Sequence, residues 1–185
     1  MELKLIITGL GGQGVVFLTR LLSQTAVSLG YPVMVSETHG MSQRGGSVIS
    51  HLSVGSGEAP LIRRGTADML IALEPSEAVR NLSFLRRGGT AFVNTSNGLP
   101  AELDEHLARL NIQLRCLPAS QMAVEFGSAA VANSIMAGFS HPFPIEAIRQ
   151  TVAEIAPRGR ELNLRALDAG YEAGRGRNSK LKIGD

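Results

Sequence analysis

At 185 residues, with 44% apolar and 18% charged side chains, the chain has the length and composition of one globular domain, which excludes a disordered or collagen-like polymer. The formal net charge of +2 hides an asymmetry: from Arg158 onward 7 Lys/Arg stand against 4 Asp/Glu, whereas residues 1–157 carry 11 against 12. That terminal basicity, with 4% aromatics and no Trp to stack bases, argues against nucleic-acid binding despite a pI near 9.0. No run reaches the ~18 apolar residues of a membrane span, and Met1 to Lys4 passes into a glycine loop instead of a signal sequence, so a cytoplasmic, non-membrane protein is expected. The single cysteine, Cys116, cannot close an internal disulfide. It also cannot hold an iron–sulfur cluster or structural zinc, which need about four ligands.

Leu3 to Thr8 is a mostly apolar run stopped by glycine and reads as a strand buried on both faces. From Gln13, apolar Val15, Leu18, Leu22, Ala26 and Leu29 recur at helical steps up to a C-capping Gly30. Residues 31–35 and 46–54 read as strands two and three, and 68–73 as the clearest central strand. After an expected Gly88-Gly89 turn, residues 90–94 and 112–117 add two more. Helices are predicted at 75–84, 101–109, 120–139, 144–156 and 161–173. Alternating strands and helices predict an α/β chain: a Rossmann-like, open, doubly wound and mostly parallel sheet, helices on both faces, and a helical C-terminal end. Residues 1–173 form one domain in this reading, and 174–185 a basic tail without an apolar face.

Gly9-Leu10-Gly11-Gly12-Gln13-Gly14 fits G-x-G-x-x-G between a strand and a helix, and Glu37 lies 23 residues beyond Gly14, near the usual ribose-binding acid. Free N–H groups at the helix start suit a phosphate or carboxylate. The glycines serve equally well to let helix and sheet pack closely, so this segment alone leaves both readings open. A triphosphate-binding loop is excluded, because Val15 and Val16 stand where Lys and Ser/Thr are needed. Beyond Glu37, residues 38–47 form a glycine-punctuated polar loop expected to border one crevice with the first glycine loop.

GLGGQGVV at 9–16 and SETHGMSQRGGSVISHLSVG at 36–55 together resemble the gamma-type subunits of 2-oxoacid:ferredoxin oxidoreductases, nearest their indolepyruvate branch. Ala132 to Gly138, ANSIMAG, resembles the Asn-to-Gly helix of that family. The resemblance implies an accessory subunit of a complex that oxidatively decarboxylates a 2-oxoacid, an aryl pyruvate being the candidate, to an acyl-coenzyme A while reducing ferredoxin. It further implies that thiamine diphosphate and 4Fe-4S clusters belong to a large partner subunit. In agreement, this chain has neither a thiamine-type GDG…N motif nor a cysteine cluster. It is expected to bind no cofactor alone, to carry no catalytic residue or metal, and to meet coenzyme A only as a co-substrate. A surface made to cover a partner predicts a homodimer when the chain is isolated.

The candidate contacts to coenzyme A or to the partner are Gly11, Gly12, Gln13, Gly14, Gln43 and Arg44. The N–H groups of Gly12, Gln13 and Gly14 suit a pyrophosphate, with Arg44 as charge partner. Arg44 more often orders its loop or lies in an interface than contacts a ligand, and Gln43 can likewise bond only its own loop. His39 and His51, 12 apart without a third ligand, read as a loop contact and a strand residue instead of a metal pair, and Cys116 as a buried, inert thiol. A stand-alone NAD(P)- or FAD-binding domain is the competing reading. It requires a strand that ends at Glu37 beside a free groove.

Overall fold

The computed structural model describes residues 1–40, 45–55, 59–156 and 158–176. Six strands of these residues form one sheet: β1 (Leu3–Leu10), β2 (Val33–His39), β3 (Ser47–Val54), β4 (Ala67–Ala72), β5 (Leu85–Asn94) and β6 (Gln113–Leu117). Among the described residues, seven α-helices surround it: α1 (Val15–Ser28), α2 (Pro75–Asn81), α3 (Asp104–Arg109), α4 (Ala119–Glu125), α5 (Ala132–Ser140), α6 (Ile145–Ile155) and α7 (Arg160–Gly176). The spatial order is β2-β3-β1-β4-β5-β6. β1, β4, β5 and β6 pair in parallel, while β3 runs antiparallel to both of its neighbours.

Alternation along β1 divides the core into two layers, because successive side chains leave opposite faces of a strand. Leu5 and Ile7 join Leu18, Leu21 and Leu22 of α1, Ile135 and Phe139 of α5, Ile148 of α6 and Leu167 of α7. Ile6 joins Ala78 of α2, Leu107 of α3, and Leu70 and Val93 of the sheet on the other face. All three β1 residues are fully buried, as a strand covered on both sides must be. The expected α/β sheet with helices on both faces is therefore present.

β3 lies between β1 and β2, and this insertion removes the geometric basis of the dinucleotide reading of Glu37. In that reading the acid sits on the strand beside β1, but β2 is one strand further out, roughly 10 Å from β1 at the usual ~4.8 Å spacing. Glu37 instead accepts a hydrogen bond from Ser50 Oγ at 3.3 Å and lies 3.5 Å from His39 Nε2. Other differences from the sequence reading are local. Gly88 and Gly89 lie inside β5 and do not break it. The helix expected over 120–139 is two helices, divided by a turn at Gly127 and a 3-10 segment at Ala129–Val131. Gly174, placed in the tail by composition, is a buried residue of α7; residues 177–185 lie outside the described residues. Cys116 is only partly buried.

α5 and α7 touch backbone to backbone. A Cβ on Gly138 would collide with the Leu167 carbonyl oxygen, and one on Gly170 with that of Ile135. Two glycines facing across a helix crossing bring the axes closer than any side chain allows. The contact fixes where α5 begins, and the first turn of α5 reaches the site.

Candidate functional site

α1 follows β1 onto one face of the sheet, and α2 follows the adjacent parallel strand β4 onto the other. The chain thus diverges between β1 and β4, and the carboxyl edge at such a switch point is where open α/β sheets bind ligands. A cleft of about 770 Å³ opens there. One wall is Gly12, Gln13, Gly14 and Phe17; the other comes from Asn94 and Ser120, the start of α5 with Asn133, and Arg158 and Asn163 around the start of α7. Another cleft, of about 730 Å³, lies at the opposite edge around Lys4 and Asp68. There the Lys4 N–H donates to Asp68 Oδ2 at 2.8 Å. It is at the amino ends of the parallel strands, away from the glycine loop.

The glycine loop is held from beneath. Gln13 Oε1 accepts from the Leu10 N–H at 2.8 Å, Gln13 Nε2 donates to Glu74 Oε2 at 3.0 Å, and the Gln13 N–H donates to the Leu10 carbonyl at 3.1 Å. Gln13 therefore spends its side chain and its amide on ordering the loop. The Gly11 N–H is also engaged, donating to the Gly46 carbonyl at 2.8 Å. This bond brings the end of the β2–β3 hairpin against the first glycine loop, but no described residue of 38–47 lines the cleft. Gln43 and Arg44, with Met41 and Ser42, lie outside the described residues.

Gly12 and Gly14 face the cleft with φ of 91° and 85°. Gly14 is the N-cap of α1, without a side-chain cap and without an acidic residue in the first turn. The first-turn N–H groups of a helix have no intrahelical partner, and together with the macrodipole they carry about half a positive charge. An uncapped 14-residue helix thus presents these donors to a cleft whose rim bears Arg158. Arg158 is exposed.

Sequence reasoning did not assign the far wall to the site. Asn94 is a brace: Nδ2 donates to the Leu73 carbonyl at 3.1 Å and to Ser120 Oγ at 2.7 Å, and Oδ1 accepts from the Ser120 N–H at 3.0 Å. Asn163 is likewise engaged, accepting from Ser134 Oγ at 2.8 Å and donating to the Gly159 carbonyl at 3.0 Å. Asn133 differs from both. It is 6% exposed, and its Oδ1 is buried without a hydrogen-bond partner. Its carboxamide packs on Gly14, where an added Cβ would collide with Nδ2. The only sequence signal for it was its place in the ANSIMAG segment.

A second anchor underlies the hairpin. Glu77, on α2 and fully buried, accepts from Ser47 Oγ at 2.5 Å and pairs with Arg80 Nη1 at 2.7 Å. His51 is buried in β3, where Nδ1 accepts from the Ile62 N–H at 3.2 Å and the ring stands edge-on to Phe84. Burial pushes its pKa below the ordinary imidazole value of 6.5. Among the described residues, no three His, Cys, Asp or Glu side chains gather to hold a metal ion. No helix of the described residues is long and apolar enough to cross a membrane.

Comparison with known proteins agrees with this architecture. The chain is 37% identical to the indolepyruvate oxidoreductase subunit IorB of Archaeoglobus fulgidus over 92% of this chain and 94% of that one. Its fold matches the gamma subunit of a keto/oxoacid ferredoxin oxidoreductase from Geobacter sulfurreducens with a TM-score of 0.74 at 22% identity, covering 94% and 99% of the two chains. It also matches 95% of its length to 31% of a chain of the 2-oxoglutarate:ferredoxin oxidoreductase from Magnetococcus marinus, solved with 2-oxoglutarate, coenzyme A and succinyl-CoA bound, with a TM-score of 0.80 at 18% identity. A family model matches residues 4–173, and the chain therefore belongs to the pyruvate ferredoxin/flavodoxin oxidoreductase family.

Proposed function

We propose that this chain is the small, gamma-type subunit of a 2-oxoacid:ferredoxin oxidoreductase, in which an aryl pyruvate is oxidatively decarboxylated to its acyl-coenzyme A. The observation that carries its part in the reaction is the cleft between β1 and β4, which the uncapped start of α1 and Arg158 both line. A pyrophosphate laid there accepts hydrogen bonds from the N–H groups of Gly12, Gly14 and the first turn of α1, and the Arg158 guanidinium balances its charge. Gln13 takes no part in this contact, since its amide is already engaged. The chain holds and orients coenzyme A while its thiol reaches into the partner's site.

The sequence carries no GDG…N motif of the kind that holds thiamine diphosphate, and its side chains do not fit an iron–sulfur cluster. One cysteine in 185 residues is too few thiolates for a four-iron cluster, and no chemical step is assigned to this chain. Both groups belong to a large partner subunit in this reading, and ferredoxin takes its electrons there. The isolated chain is then inactive and self-associates through the face that the partner covers.

Reconstitution with the large subunit tests the proposal. Gly12→Asp adds a negative charge at a position where a Cβ meets nothing within 4 Å, so it should raise the KM for coenzyme A and leave that for the 2-oxoacid nearly constant. Equal losses on both substrates would make the cleft an assembly surface. Oxoacid-dependent acceptor reduction by the purified small chain, or a strict monomer in light scattering, would contradict the accessory role or the covered face respectively.

A further inference from the structure

β2 ends the sheet, and among the described residues β3 is the only strand bonded to it. Which of its backbone groups β3 leaves free follows from the two bonds that flank their ladder. The Gly55 N–H donates to the Pro32 carbonyl at 2.9 Å and the Gly40 N–H to the Ser47 carbonyl at 2.8 Å. Both pairs continue the register that sets Val33 opposite Val54 and His39 opposite Val48. Hydrogen-bonded and non-bonded pairs alternate along an antiparallel ladder. Met34, Ser36 and Thr38 therefore bond β3, while Val33, Val35, Glu37 and His39 turn their N–H and C=O groups to the open edge. Native edge strands are commonly guarded by proline, lysine or a bulge. Residues 33–39 contain neither residue type, their register with β3 is unbroken, and Val35, Glu37, Thr38 and His39 are exposed. The strand at the other edge, β6, is shorter and is half-buried from Leu114 to Cys116.

We propose that this edge pairs with β2 of a second copy of the chain, antiparallel and about a two-fold axis through Ser36. A two-fold interface uses the same patch on both subunits, so the strand must complement itself, and charge helps to select the register. Centring on Ser36 sets Val33 opposite the partner's His39 and Val35 opposite the partner's Glu37. All four outward residues of each strand are then engaged, and no like charges stand directly opposite. A centre at Glu37 would oppose two carboxylates, and one at Val35 or Thr38 would leave outward groups of the strand unpaired. The inference rests on the self-association of the isolated chain proposed above and names its surface and register. It is independent of what the cleft binds.

The register fixes which substitutions act on the dimer and in which direction. Val35→Glu sets a carboxylate opposite the partner's Glu37 at two symmetric places, whereas Val35→Lys loses the same apolar side chain but sets a cation there. The lysine variant should therefore dimerise about tenfold more tightly than the glutamate one. Val35 is 41% exposed and its N–H and C=O lie outside the β3 ladder, so both variants should fold, which thermal unfolding checks. Two copies of Ser36→Cys would meet as a non-hydrogen-bonded pair with Cα atoms ~4.5 Å apart, within the ~4.4–6.8 Å that a disulfide spans. Two copies of Thr38→Cys would lie ~13 Å apart along the strands, four residues at ~3.3 Å each, and should not cross-link. Both cysteines are introduced in a Cys116→Ala background, so that only the new thiol reacts.

Sedimentation of the full chain and its charge variants, with mild oxidation of the two cysteine variants, gives the answer. A dimer that Ser36→Cys locks, that Thr38→Cys does not, and that separates the two Val35 variants supports the proposal. Equal cross-linking of both cysteines, or cross-linking at Thr38→Cys alone, overturns the register. A wild-type dimer that neither cysteine locks and that responds alike to lysine and glutamate overturns the edge pairing while leaving self-association standing. A strict wild-type monomer overturns both, even if the large subunit later protects the outward β2 amides from hydrogen exchange, since the edge then serves that partner instead of a second copy. Should a charge variant fail to fold, the cysteine pair decides alone.

Discussion

Replacing Gly14 by alanine loads two separable costs onto one position. The backbone cost arises because φ is 85°, where an L-residue with a Cβ is disfavoured by roughly 1–2 kcal/mol. The packing cost arises because that Cβ collides with Asn133 Nδ2, and overpacking of this kind adds about 1–3 kcal/mol. Gly12 provides the control: its φ is 91°, but a Cβ there meets nothing within 4 Å. Gly12→Ala should therefore cost about 1–2 kcal/mol and Gly14→Ala about 2–5 kcal/mol, the latter corresponding to a fall in Tm of at least ~4 °C for a chain of this size. The decisive measurement is a double-mutant cycle by urea unfolding, with Gly14→Ala made in the native and in an Asn133→Ala background. In the second background the collision is gone, and the cost should fall to that of Gly12→Ala. An unchanged cost in both backgrounds would show that Asn133 does not press on Gly14, and the geometry of the cleft wall would be wrong.

Two further outcomes test other parts of the molecule. Gly170→Ala forces apart the backbones of α5 and α7, so it should destabilise by about 3 kcal/mol or more, the upper end of overpacking costs; chemical unfolding checks this, and loss of less than about 1 kcal/mol would contradict the close crossing. The lowered pKa of His51 means that the unfolded chain takes up a proton more readily than the folded one, so stability is complete above about pH 6.5 and declines as pH falls below it toward the folded value. His51→Asn, which retains an acceptor for the Ile62 N–H, should flatten the dependence of Tm between pH 7 and 5, and an identical slope in both proteins would refute the assignment.

The legible and illegible parts of the chain differ in the range of the interactions that make them. Leu5, Ile6 and Ile7, the periodic apolar residues of α1 and the turn glycines at 9–14 announce β1, the helix and the loop, because each depends on neighbours within a few residues. The insertion of β3 beside β1 is set by pairs such as Ile6 with His51, and nothing in either segment alone displays that register. The break at Gly127 was hidden because apolar residues continue on both sides of it. At the site, Gly14 could be read from its motif. Asn133, 119 positions later, reaches Gly14 only through the folded sheet and the α5–α7 contact, and its unsatisfied oxygen exists only once the core has closed.

The place of β3 also governs the order in which the chain can fold as it is made. β1 pairs with β3 on one side and β4 on the other, so its strand edges stay empty until residues 47–54 and then 67–72 have been synthesised. At roughly 5–20 residues per second, the 44 residues from Leu3 to Ser47 represent an interval of about 2–9 s. During that time Leu5, Ile6 and Ile7 are exposed, and α1 is the one early element able to cover a face of them. A central strand left open for seconds is a template for unwanted pairing. The reversed third strand that brings the two loops to one edge thus also sets how long the edge of β1 waits for its partner during synthesis.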